Sequence, residues 1–131
     1  MSVYDDVLTS VITTMQAAGT NDNIYIGALP PDNALSVAWA NASYNAFFNK
    51  STAAVELSLV FNGKNTNQQS LSDHMGTIHL YLSTRTSYPV TDSFQITNIQ
   101  TISPPSLLSR EENNQILYGS SLAVKFYLKE V

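Results

Sequence analysis

Few residues in this chain have both the type and the spacing to do chemistry. His74 and His79 are the two histidines, and there is no cysteine, so thiolate chemistry, disulfides and thiolate metal sites are excluded. On one helix, a spacing of five sets the two imidazoles about 140° apart, which is poor geometry for a shared metal. No third ligand is spaced to help, so a structural or solvated role is the expectation for both. Asn62-Gly63-Lys64 has the ending of a phosphate loop. That pattern requires a glycine where Ser58 stands and a Ser or Thr where Asn65 stands, so it fails at both ends. The acidic pairs Asp5-Asp6 and Glu111-Glu112 are adjacent in sequence and so diverge on a helix. The first fits a helix dipole; the second reads as a solvated turn or a subunit contact. The serines include no Gly-x-Ser-x-Gly elbow. Asn41-Ala42-Ser43 and Asn49-Lys50-Ser51 match the glycosylation sequon but lack a secretory context, and are read as chance. No catalytic, cofactor or metal site is expected.

The composition points the same way. Only 12% of the 131 residues are charged, with a formal net charge of −4, against a usual charged share of about a quarter. Sparse and net-acidic charge argues against phosphate-backbone binding, which needs clustered Lys and Arg. It leaves a surface with little charge repulsion, which suits burial against partner subunits; an ordinary neutral soluble domain is the alternative. The start, MSVYDDVLTS, is acidic and amphipathic, without the features of a signal peptide. No window reaches the length of a membrane span, and a cytoplasmic site of synthesis and assembly is expected. The length is that of one domain over residues 1–131.

The elements that must position these residues are legible as periodicities. Val7, Val11 and Met15, with Leu8 and Ile12 beside them, predict a helix from about Val3 to Ala18 that closes on Gly19. Asn23–Leu29 is a β-rich run stopped by Pro30-Pro31, and Leu35–Trp39 is a second short strand. Asn41–Thr52 reads as a loop carrying three aromatics, Tyr44, Phe47 and Phe48. Exposed, that cluster marks an interface; folded back, it caps the sheet.

From Ala53 to Phe61 the alternation is clear. Val55, Leu57, Leu59 and Phe61 take one face, and Ala54, Glu56, Ser58 and Val60 the other. Asn62-Gly63-Lys64 should break the strand, since Asn-Gly readily adopts positive φ. A second helix, Gln68–Ser83, is expected with Thr66 as N-cap, Gln69 as its capping-box partner and a stripe of Leu71, Met75, Ile78 and Leu82. Gly76 inside it costs about 1 kcal/mol against Ala and is explicable by close packing on the sheet. Phe94–Ile102 is a fourth strand whose phase slips between Ile96 and Ile99, as a bulge would make it. Ser103–Gln115 reads as irregular, and Ile116–Lys129 as a long last strand. The order α-β-β-β-α-β-β gives an α+β fold: a mainly antiparallel five-stranded sheet with two helices on one face.

The strand VELSLVFNGK (55–64), the polar helix start NTNQQSLSD (65–73) and the ending NQILYGSSLAVKFYLKE (114–130), in this order of elements, resemble the small minor capsid or tail terminator proteins of long-tailed phages that infect Gram-positive bacteria. The resemblance spans nearly the whole chain. It implies a structural virion protein without catalysis, a subunit of a ring, typically of six, that caps the finished tail tube and docks to the filled head. Its implied partners are further copies of itself, the tail tube protein and a head-completion or neck protein. DNA would use the ring as a passage without sequence-specific binding, and the protein would reside in the neck region of the virion. By position, Tyr44, Phe47 and Phe48 in one loop and Arg110, Glu111 and Glu112 in another are the candidate contacts with subunits or partners. Another neck, head-closure or tail-tube component is an alternative of the same kind, and a monomeric ligand-binding or enzymatic α+β domain is one of a different kind.

Overall fold

The computed structural model describes residues 3–20, 22–27, 29, 33–49, 52–111 and 114–129, with the side chains at 3, 4, 39–49, 52, 53 and 129 outside the description. Helix α1 (Val3–Gln16) is followed by β1 (Ile24–Ile26), β2 (Ala34–Asn49), β3 (Thr52–Asn65), α2 (Gln68–Ser83), β4 (Phe94–Arg110) and β5 (Ile116–Lys129). The five strands form one sheet in the order β1-β2-β3-β5-β4. Every pairing is antiparallel except the three-residue β1, which runs parallel to β2. Because β3 and β4 both oppose β5, they run parallel to each other, and α2 is the crossover that carries the chain past the position of β5.

The core lies between the sheet and the two helices. Val55, Leu57, Leu59 and Phe61 of β3 are buried with Leu122, Val124 and Phe126 of β5, their register neighbours on that face. Phe94, Ile96 and Ile99 extend the face onto β4, where the Phe94 and Phe126 rings meet edge to face at 6.4 Å. Val7, Leu8, Val11, Ile12 and Met15 of α1 and Leu71, Met75, Ile78 and Leu82 of α2 cover it. In α1, the Thr9, Thr13 and Thr14 hydroxyls donate to the carbonyls of Asp5, Thr9 and Ser10, so polar residues sit in the helix without unmet donors. Gly19, at φ +84°, ends it as expected.

Several expectations change. Asn41–Asn49 is no loop: β2 continues to Asn49 and pairs with β3 down to Asn49↔Thr52. Register shifts at Trp39/Asn41, Tyr44/Ala46 and Phe47/Asn49 scramble the two-residue period that would have announced a strand. Likewise Ser103–Arg110 is not irregular. It continues β4 through shifts at Thr101/Ser103, Ser103/Ser106 and Leu107/Ser109, with Pro104 and Pro105 inside the second of them. β4 is an edge strand, where a missing N–H breaks no ladder on the outer side. The bulge expected between Ile96 and Ile99 is present, and the Thr97 hydroxyl it displaces donates to Lys125 O.

Asn62-Gly63-Lys64 does not turn; it is regular strand within β3. Gly63 is needed for a different reason. A Cβ there would sit 2.6 Å from Leu71 Cδ1, 2.7 Å from Leu35 Cδ2 and 2.8 Å from Met75 Sδ, so its absence lets α2 and β2 close on β3. Gly76, expected to serve packing, meets nothing within 4 Å. The N-cap of α2 is Asn67, one residue later than expected, and its Oδ1 accepts from Ser70 N at 3.0 Å. Asn65 Oδ1 accepts from Asn67 N, and Asn33 Oδ1 from Thr66 N, so asparagine side chains satisfy three amides at the strand-to-helix corner.

Candidate interface surfaces

The residues singled out in sequence fall at two ends of the sheet. On β2, Tyr44 is in register with Val55 and Phe47 with Ala53, and Phe48 lies in the shift before Asn49. Arg110 closes β4 opposite Ile116, at the other end of the strands. Ten residues of β3 separate Val55 from Asn65, which is in register with Ile116, so the two groups are roughly 30 Å apart along the strands. Arg110 is exposed, and its Nη2 donates to Gln68 Oε1 at 3.4 Å. Glu111 is exposed at the start of a tight turn: its N–H donates to Gln115 O at 2.7 Å, and Asn114, at φ +65°, donates back to Glu111 O. Glu112 lies outside the described residues.

Sequence reading missed the apolar surface. Ile102, Leu107 and Leu108 on the distal half of β4 are 55%, 46% and 57% exposed. Tyr25 and Ile26, on β1 at the opposite edge of the sheet, and Leu80 on α2 are exposed as well. The available signal was the Pro104-Pro105 pair, which suits an edge strand. Leu108 lies across Gly119, where a Cβ would stand 2.6 Å from its Cδ1.

Among the described residues, no helix covers the other face of the sheet. The cross-strand rows there are Ser36–Asn62–Gly119, Ala38–Val60–Ser121 and Glu56–Lys125. Among the described residues this face is mostly uncharged, with Glu56 opposite Lys125 and Lys64 further along β3, well short of the clustered cations that nucleic acid demands.

The two histidines do not meet. His74 Nδ1 lies 3.0 Å from Asp22 Oδ2, an ion pair when the ring is protonated, which ties the segment before β1 to α2 beside a shallow polar groove of Asn67, Gln69, Ser70 and Asp73. His79 is buried, 5% exposed, with its ring 5.5 Å from that of Phe61. The Ser120 hydroxyl donates to Phe61 O at 2.8 Å, so Ser120 Oγ accepts from His79 Nε2–H at 2.7 Å. Nδ1 then lacks a hydrogen and accepts from the Thr101 hydroxyl, also at 2.7 Å. Burial disfavours the charged ring and lowers its pKa from 6.5 to about 4. This is a neutral, satisfied core histidine, the structural one of the two roles left open by the sequence. Among the described residues, no group of three His, Cys, Asp or Glu side chains is placed to hold a metal, and no helix is long and apolar enough to cross a membrane.

With this geometry in hand, the chain can be set beside known proteins. No protein-family model matches it, and no curated protein sequence does. Among solved structures, it is similar to a chain of the virion of a native gene transfer agent (GTA) particle. The TM-score is 0.61 at 8% sequence identity, covering 91% of this chain and 92% of the other. At that identity the likeness is one of fold, and it extends over nearly the full length of both chains.

Proposed function

We propose that this protein is a structural component of a phage-like virion, and that it serves as a tail terminator subunit. In that role, copies of the chain close into a ring that caps the tail tube and joins it to the head. The observation that carries this reading is the near full-length fold likeness to a chain of a GTA virion. It is supported by apolar side chains exposed on both edges of one sheet, Tyr25 and Ile26 on β1 and Ile102, Leu107 and Leu108 on β4. Two different edges suit head-to-tail contacts, which build rings when the rotation closes. Tyr44, Phe47 and Phe48 at one end of the sheet, Arg110 and Glu111 at the other, and Glu112, which follows them in sequence, are the proposed contacts with neighbouring subunits, the tail tube protein and the head-completion protein. Nothing in this role requires catalysis.

Light scattering coupled to size exclusion, with electron microscopy of the purified protein, tests the reading. Rings with a central hole, or rings formed on added tail tubes, are the expected result. A strict monomer at high concentration that also fails to join tail tubes would sink it. Association with neck proteins but not with tube ends would move the assignment to another neck component. Phe47→Asp should block ring formation while leaving the circular dichroism spectrum intact; unaltered rings would remove the aromatic segment from the interface.

A further inference from the structure

The exposed apolar side chains on the two edges of the sheet lie at one level. Across the paired strands, Ile24 of β1 reaches Leu107 of β4 through Leu35, Gly63 and Tyr118. In the next row, Tyr25 reaches Ser106 through Ser36, Asn62 and Gly119. β1 and the distal arm of β4 (residues 102–110) are therefore opposite ends of the same rows. The charges follow the same pattern. Arg110 shares a row with Ile116 and Asn65, and Asn65 lies two residues beyond Gly63 along β3. Asp22 precedes Ile24 by two residues in the same direction, and it lines a small cavity with Asn33 and Asn65. An acid at one edge is thus level with a base at the other. Both edges are open to a neighbour: among the described residues, β1 pairs only with β2, and β4 is bridged on its outer side at Gln95 by Val90 but from Ile102 on pairs only with β5.

We infer that the β1 edge of one copy seats against the distal arm of β4 of the next copy, with Tyr25 and Ile26 against Ile102, Leu107 and Leu108, and Asp22 facing Arg110. This rests on the ring reading above and names the contact within it. Copies that close head-to-tail have no rise between them, so patches that meet must stand at the same height on the two edges. With strands running along the ring axis, that height is the register row, and the rows match. Strand direction agrees as well. β1 runs antiparallel to β4, so copies set side by side bring opposed strands together. The two sides of the sheet also correspond. Asp22 meets His74 of α2 on the helix side, and Leu107 and Arg110 are in register there with buried Tyr118 and Ile116. Tyr25 takes the helix-free side with Gly119, across which Leu108 lies. The Asp22 carboxylate that holds His74 has further lone pairs for a guanidinium. Pro104 and Pro105 have no N–H to offer a ladder, so side chains carry the contact.

The chain has no cysteine, so introduced ones report on single contacts. Tyr25→Cys and Ser106→Cys, both at exposed positions of one row, should link neighbouring copies under mild oxidation or with a short bismaleimide. The double variant should give a series of bands on a denaturing gel that stops at the full ring. A mixture of the two single variants should stop at dimers, and each single variant alone should stay monomeric. Tyr25→Cys combined with Gln95→Cys, at the other end of β4, should give no series. Arg110→Glu should raise the concentration at which light scattering detects association by roughly fivefold or more, and adding Asp22→Arg should reverse much of that rise. Rings without cross-links from the Tyr25→Cys/Ser106→Cys pair, or with equal ones from the Gln95→Cys pair, would overturn this contact and leave the ring reading standing. A single-cysteine variant that links to itself would show a like-to-like contact and overturn it too. Bands that run on without a stop, with fibres in the microscope, would keep the contact and overturn the ring. A strict monomer, alone and with tail tubes, would overturn both.

Discussion

The two halves of β4 belong to one strand against one partner, yet they have opposite fates. Phe94, Ile96 and Ile99 are buried to within 2% of full coverage, while Ile102, Leu107 and Leu108 are about half exposed. Both halves are apolar and both are hydrogen-bonded to β5, the distal one through three register shifts and the proximal one through one, so composition does not separate them. What differs most is cover: the proximal half lies beneath the helices, and the distal half passes beyond the His79–Thr101 hydrogen bond. Exposed apolar side chains grouped on one strand, with no layer of the described residues above them, are the kind of surface that interfaces use.

The contrast can be tested by making one change on each side of it. Ile99→Ala should cost roughly 2–5 kcal/mol by leaving a cavity under the helices, read as a fall in the urea midpoint with unchanged slope. A cost below about 1 kcal/mol would mean that the proximal half is not core. Gly63→Ala sharpens the same side. Its Cβ meets Leu71, Leu35 and Met75 at 2.6–2.8 Å, and overpacking of that kind costs roughly 1–3 kcal/mol in thermal or urea unfolding. Gly76→Ala, on the outer side of α2 with nothing near its Cβ, should stabilise the isolated chain by up to about 1 kcal/mol. The smallest effect belongs to the distal half: Ile102→Ala, three residues from Ile99, should change the stability of the isolated chain by no more than about 0.5 kcal/mol. If copies of the protein associate, the same substitution should weaken that association, measured as the concentration dependence of mass by light scattering. An Ile102 variant as damaged as the Ile99 variant in the monomer would erase the distinction.

pH offers a further way to sharpen it. The folded-state pKa of His79, about 4, is below the 6.5 of a free histidine, so the folded protein binds fewer protons than the unfolded chain between these values. Its stabilising contribution is therefore complete above pH 6.5 and declines as pH falls towards 4, by about 3 kcal/mol in all. Urea unfolding of wild type and His79→Gln across that window isolates this contribution. Parallel pH profiles for the two proteins would show that the imidazole does not titrate as described.

Much of the architecture was legible because two periods survive in the sequence. The 3.6-residue stripe of Leu71, Met75, Ile78 and Leu82 gave α2 its bounds, and the two-residue alternation from Val55 to Phe61 gave the centre of β3 and its buried face. Asn41–Asn49 looks like a loop in the sequence and Ser103–Arg110 looks irregular, because each bulge shifts the side-chain phase by one. The runs look aperiodic even though the backbone ladder is intact. The candidate surface was less legible still, since Ile102 and Ile99 are the same residue type and only the fold tells them apart.

By itself, then, the sequence determined the element order and the face of each regular helix and strand that must be buried. These follow from local geometry, in which a residue's neighbours are set by its position along the chain. The tertiary structure decided that Gly63 is a close-packing site and not a turn, that Asn67 and not Thr66 caps α2, that His79 joins β4 to β5 through Thr101 and Ser120, and that half of β4 lies uncovered. Each of these depends on which atoms from distant parts of the chain come within a few ångströms, and no pattern along the chain records that.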